Sequence, residues 1–125
     1  EMRDLKVKMK LSPMIDVIKG KRVIVVDDSI VRGTTSKRIV RMLKEAGAKE
    51  VHMRVSSPPT TDPCFYGVDT PNKEKLIAAN MSQDDICKFI EADSLAYLDE
   101  ASLLRSVNTT EDNYCTACFT GKYIV

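Results

Sequence analysis

The sequence predicts an α/β fold: a parallel sheet flanked by helices, followed by a short C-terminal helical segment. Three observations predict it. Val23 to Val26 form a continuous β-branched run, the pattern of a strand buried on both faces of a parallel sheet. Lys37 to Ala46 reads as an amphipathic helix, with Ile39, Val40, Leu43 and Ala46 at three- and four-residue steps and Lys37, Arg38, Arg41 and Lys44 on the wet side. Glu50 to Ser56 then alternates Val51, Met53 and Val55 against His52 and Arg54, a second strand. Strand, helix, strand implies a right-handed crossover and parallel pairing.

Residues 1–13 alternate charge and hydrophobe (Lys6, Val7, Lys8, Met9, Lys10, Leu11) and stop at Pro13. They fit either an edge strand guarded by lysines or a basic flap, with Lys8 and Lys10 as its phosphate-facing cations. Gly20 and Lys21 turn the chain into the first strand, and Gly47 is a natural terminator of the first long helix. Beyond Pro63, Lys73 to Ala79, Gln83 to Ala92 and Glu100 to Val107 read as short helices. Ser82 is the N-cap of the second, with Asp84 and Asp85 in its first turn. Leu95 to Leu98 fits one more short strand, and 108–113 is a polar connector.

The chemistry concentrates where the first strand ends. Asp27 and Asp28 stand at its carboxyl end, and Ser29, Ile30, Val31, Arg32, Gly33, Thr34, Thr35 and Ser36 lead into a helix beginning near Ser36. A helix N-terminus offers unpaired N–H groups and a positive dipole end to an anion. Gly33 can adopt positive φ and bring the backbone close to a phosphate. Thr34, Thr35 and Ser36 add donors, and any of them could cap the helix. Ionised Asp27 and Asp28 only accept, so they suit ribose hydroxyls or a hard Mg²⁺ ion. The string therefore suits a ligand carrying both a phosphate and a sugar diol. It is neither a P-loop nor a Gly-x-Gly-x-x-Gly fingerprint. Parallel pairing puts Ser56, Ser57, Pro58 and Pro59 on the same sheet edge, where open α/β sheets bind ligands.

Composition bounds the alternatives. With 125 residues, 43% of them hydrophobic, the chain can build one small core. A net charge of +1, from 19 basic and 18 acidic residues, gives no electrostatic case for nucleic acid or an anionic membrane. No apolar run reaches a membrane span and no signal peptide opens the chain. Four cysteines without a secretion signal favour a reducing, cytoplasmic setting over a disulfide scaffold. His52, the only histidine, points away from the apolar alternation and reads as packing rather than catalysis. Cys115 and Cys118 form a Cys-x-x-Cys pair that fits zinc, iron–sulfur, redox chemistry or nothing. Cys87, among Ile86, Phe89 and Ile90, reads as a small buried hydrophobe.

Val-Ile-Val-Val-Asp-Asp-Ser-Ile-Val-Arg-Gly-Thr-Thr at 23–35 resembles the phosphoribosyl pyrophosphate (PRPP) motif of type I phosphoribosyltransferases. Lys-Met-Lys-Leu-Ser-Pro at 8–13, Ser-Ser-Pro-Pro at 56–59, Pro-Cys-Phe-Tyr-Gly at 63–67 and Cys-Thr-Ala-Cys-Phe-Thr-Gly-Lys-Tyr at 115–123 are similar to the glutamine PRPP amidotransferase family. The resemblance covers nearly the whole chain. It implies that 1–70 is the PRPP-binding part of a type I phosphoribosyltransferase domain, 71–125 a C-terminal helical segment with the cysteine pair, and the glutaminase domain absent. It implies a transferase that makes 5-phosphoribosylamine from PRPP and glutamine-derived ammonia in purine synthesis, with no glutamine hydrolysis by this chain alone. The loop at 29–36 would hold the 5-phosphate, with Asp27 and Asp28 acting on the ribose or Mg²⁺ as the catalytic carboxylates. Purine nucleotides would inhibit, and the full-length protein would be a homo-oligomer. Cys64, Cys115 and Cys118 fall on three ligand positions of the [4Fe–4S] cluster that some members carry, the fourth lying upstream of Glu1. The alternative of a different class is a PRPP- or nucleotide-sensing module without chemistry, against which the cysteine blocks argue.

Overall fold

In a computed structural model the described residues are 2, 15–108 and 113–124. The expectation of a basic flap with Lys8 and Lys10 lies outside them. The elements run α1 (Ile15–Ile18), β1 (Arg22–Asp27), α2 (Thr34–Glu45) and β2 (Glu50–Val55), then a 3₁₀ turn (Lys73–Lys75) and α3 (Ile77–Asn80). They continue with α4 (Gln83–Ile90), β3 (Ser94–Tyr97), α5 (Glu100–Ser106) and α6 (Ala117–Thr120).

The three strands form one sheet in the order β1-β2-β3, parallel throughout. Val23 pairs with Val51, Val25 with Met53 and Asp27 with Val55, and Leu95 lies beside Met53 on the other side of β2. The short strand expected near Leu95 is therefore the third strand of the same sheet. Central β2 is the most protected, with Val51 and Met53 fully buried. Its apolar face meets Val40 and Leu43 of α2, Ile86 and Ile90 of α4, and Ile18, Ile30, Ile77 and Leu95 in a single cluster. Residues on either side of position 70 thus share one core.

Two expectations about the first βα unit need correction. β1 is not buried on both faces: Val23 and Val25 pack on the core, but Ile24 and Val26 are 66% and 73% exposed. A continuous apolar run leaves open which face has a partner, and α2 and α4 both pack on the face of Val51 and Met53. The helix also starts earlier than Ser36. Its N-cap is Gly33, at φ 82°, and no side chain caps it. Thr34, Thr35 and Ser36 are consequently first-turn residues rather than caps.

The later signals fared better. Gly47 terminates α2 at φ 95°. Ser82 Oγ accepts the Asp85 N–H at 3.2 Å as the α4 cap, while Asp99 Oδ1 accepts the Ser102 N–H at 2.7 Å at the start of α5. His52 is held by Ser94 Oγ at 2.7 Å and Glu50 Oε2 at 2.9 Å in a polar network on the sheet. Cys87 packs against the core, its Sγ donating to the Ala92 carbonyl at 3.3 Å, and burial pushes its thiol pKa up.

Candidate functional site

Parallel strands release their chains on one edge, and here that edge is stitched beyond the strand ends. The Ser56 N–H donates to the Asp27 carbonyl at 2.9 Å, and the Leu98 N–H donates to the Val55 carbonyl at 2.9 Å. Asp27 is therefore fixed as the last residue of β1. Its Oδ1 accepts the Asp28 N–H at 2.9 Å, and Asp28 Oδ1 accepts the Ser29 hydroxyl at 3.0 Å. Among the described residues, no protein partner engages the second oxygen of either carboxylate, which leaves it open to a ligand.

The loop that follows is shaped from behind. Ile30 is buried in the core, and the Val31 carbonyl accepts the Ile77 N–H at 2.9 Å. Gly33 is both left-handed and crowded: a Cβ there would lie 2.8 Å from Ile77 Cδ1 and 3.1 Å from Phe89 Cε1. Only glycine meets both demands. The first intrahelical bond is from the Lys37 N–H to the Gly33 carbonyl at 2.9 Å, so the amides of Thr34, Thr35 and Ser36 are the helix's orphan donors.

These pieces line one cleft of about 400 Å³: Asp27, Asp28, Ser29, Val31, Arg32 and the Gly33–Ser36 turn, closed on the far side by Asp69 and Pro71. Nine of the ten residues expected around a sugar phosphate line it. The exception, Ile30, sends its side chain into the core and can contribute only backbone. Ser56, Ser57, Pro58 and Pro59 do not line it, and Ser57 is buried, its hydroxyl donating to the Pro58 carbonyl at 3.0 Å. Asp69 was not legible because it stands some forty residues from the motif and belongs to no pattern of its own. The cleft joins an amide-rich anion cradle to a wall of carboxylates, a fit for phosphate at one end and hydroxyls or a cation at the other.

A second corner gathers the cysteines. The Cys118 carbonyl accepts the Thr61 and Asp62 N–H groups at 3.0 and 3.1 Å, and the Tyr123 hydroxyl bonds the Pro63 carbonyl. Phe65 meets Tyr123 edge-on at 4.7 Å. The C-terminal turn is thereby docked on the 61–66 loop. Backbone N–H groups, that of Tyr66 first and then that of Val68, lower the Cys64 thiol pKa, whereas burial raises that of Cys118. Cys64 and Cys115 are both close enough to add to the rise at Cys118. Yet among the described residues no three His, Cys, Asp or Glu side chains are arranged to hold a metal ion. The three thiols do not fit an iron–sulfur centre as they stand. The Asp27–Asp28 pair is a different case, because Mg²⁺ is commonly held by one or two carboxylates with substrate phosphates completing the shell.

Comparison with known proteins identifies the fold. The family profile of the phosphoribosyl transferase domain matches residues 4–66. The amidophosphoribosyltransferase of Synechocystis sp. is 56% identical over 98% of this chain and 25% of its own length. The chloroplastic amidophosphoribosyltransferase of Glycine max is 59% identical over 100% of this chain and 22% of its own. A solved structure of the glutamine PRPP amidotransferase from B. subtilis, complexed with ADP and GMP, superposes with a TM-score of 0.80 at 54% identity, covering 87% of this chain and 25% of that one. The chain thus spans about a quarter of the length of the curated relatives it matches. Among the described residues, no helix is long and apolar enough to cross a membrane. Motif, parallel sheet and cleft have one common explanation, which the profile match makes explicit: the chain belongs to the phosphoribosyl transferase domain family.

Proposed function

We propose that this chain is the PRPP-binding part of an amidophosphoribosyltransferase, with residues 1–70 carrying most of the ligand site and 71–125 completing it at Pro71 and bracing it. The observation that supports this most directly is the cleft in which the Gly33-capped start of α2 faces the open oxygens of Asp27 and Asp28. In this reading the amides of Thr34, Thr35 and Ser36, with their hydroxyls, hold the 5-phosphate. Asp27 and Asp28 accept from the ribose 2- and 3-hydroxyls and face the ring on which positive charge develops.

The reaction is a displacement at C1 of PRPP. The lone pair of ammonia forms the C1–N bond, the bond from C1 to the pyrophosphate oxygen breaks, and pyrophosphate leaves with the electron pair. The product loses a proton and becomes 5-phosphoribosylamine. Asp27 and Asp28 are the residues that would hold Mg²⁺, and the ion would supply neutralisation of charge on the departing pyrophosphate. The chain's own contribution is to fix the phosphate and diol so that C1 is presented in one orientation, and to place carboxylates beside a developing cation.

The wider reading takes ammonia from a glutaminase domain outside this chain and takes the full-length protein as a cytoplasmic homo-oligomer. Purine nucleotides compete for the same phosphate cradle; the complex of the B. subtilis relative with ADP and GMP supports nucleotide binding in such proteins. Calorimetry with PRPP and Mg²⁺ tests the reading. The wild-type chain is expected to bind, and Asp27→Asn to weaken binding by about tenfold or more, the loss of one charge-assisted contact. Equal affinities would refute the assignment. An ammonia-dependent assay for phosphoribosylamine separates an enzyme from a sensing module.

A further inference from the structure

The geometry points to Phe89, on α4, as a positioning residue for the phosphate cradle, acting through Gly33 and Lys37; this inference rests on the function proposed above. Phe89 lies far from the motif in sequence and does not line the cleft. Its ring nevertheless touches the cradle from behind at two points. Cε1 and Cδ1 stand 3.1 and 3.3 Å from where a Gly33 Cβ would be, so the ring faces the one residue whose left-handed φ starts α2. The ammonium of Lys37, one turn into α2, sits 4.6 Å from the centre of the same ring.

Each contact has a consequence for an anion in the cleft. The ring packs against the back of Gly33 and so limits how far the turn can relax, keeping the amides of Thr34–Ser36 aimed together. The cation–π contact restrains a long, mobile side chain close to the helix's positive end. Lys37 does not line the cleft, so it acts on a bound anion only through its charge. Ile77 shares the packing at Gly33 and ties down the Val31 carbonyl, but it carries no ring and cannot hold the cation. That distinction lets the two roles be separated. Helix α4 thus takes part in ligand binding without lining the cleft.

The test uses Phe89→Leu, which keeps an apolar side chain, Phe89→Tyr, which keeps the ring, and Lys37→Met. PRPP affinity is measured in the presence of Mg²⁺, alongside amide hydrogen exchange at 33–36 and the proton shifts of the Lys37 side chain. Phe89→Leu is expected to weaken PRPP binding by about fivefold. It should also speed exchange at 33–36 relative to β2, and abolish the ring-current shift of the Lys37 methylenes. Phe89→Tyr should restore all three. In a Lys37→Met background, Phe89→Leu should cost less affinity than in the wild type. Unchanged exchange at 33–36 and unchanged affinity in Phe89→Leu would overturn the inference while the proposed function stood. If wild-type chain fails to bind PRPP, the proposed function fails, and exchange at 33–36 still decides whether Phe89 governs the turn.

Discussion

Replacing Gly33 by alanine is the most informative single perturbation of this fold. Two effects add at that position. Alanine at φ 82° pays the left-handed steric penalty, about 1–2 kcal/mol. Its Cβ also arrives 2.8 Å from Ile77 Cδ1, the movable end of a side chain, and 3.1 Å from Phe89 Cε1, a crowding at the low end of overpacking costs, about 1 kcal/mol. Gly20 supplies the control: it has φ 73°, and an added Cβ there meets nothing within 4 Å. Gly20→Ala therefore carries the conformational penalty alone. Any gain from a less flexible unfolded chain is common to both and cancels. The expected difference between the two variants is about 1 kcal/mol, read in urea unfolding as a midpoint about 0.5 M lower for Gly33→Ala with the slope unchanged. Equal midpoints would refute the claim that α4 and Ile77 press on the turn, and with it the physical reason for glycine at this position.

Acid should unfold the protein through a few placed carboxylates. The Val51 N–H, donating at 2.7 Å, holds the Asp93 carboxyl below the usual range, and Lys73 and then Thr61 do the same for Asp62. A depressed folded pKa gives stability that is fully present above the unfolded value, near 4, and is lost as pH falls through the folded one. Urea midpoints from pH 7 to 2.5 should thus be flat and then fall below about pH 4, and Asp93→Asn should flatten part of that fall. At the start of α4, Ser82→Ala should cost about 1 kcal/mol in thermal or urea unfolding, with Ser82→Asp restoring most of it.

What the sequence made legible follows from how local each feature is. The β1 and β2 strands, the α2 face and the Ser82 cap are set by residues a few positions apart, and all were readable. The start of α2 was misplaced because hydroxyl residues are common caps, while the residue in the cap position is Gly33, whose left-handed backbone is visible only in three dimensions. Burial of β1 was overestimated because Val23 to Val26 carry the same character on both faces. Asp69 and Phe89 could not be found at all. Asp69 reaches the cleft from a loop remote in sequence, and Phe89 meets Gly33 across the α2–α4 contact, and neither leaves a trace in the spacing of nearby residues.

The face of the sheet turned away from α2 and α4 is divided along its length. Over β2 and β3 it is dressed for water: Arg54 and His52 share the Ser94 hydroxyl, and Glu50 closes the network. Over β1 it is bare, with Ile24 beside His52 and Val26 beside Arg54. Anything that shields this side need therefore extend over only one strand's width and can stop at a ready-made polar border. Left unshielded in concentrated solution, the same narrow oily strip favours contact between molecules of this chain.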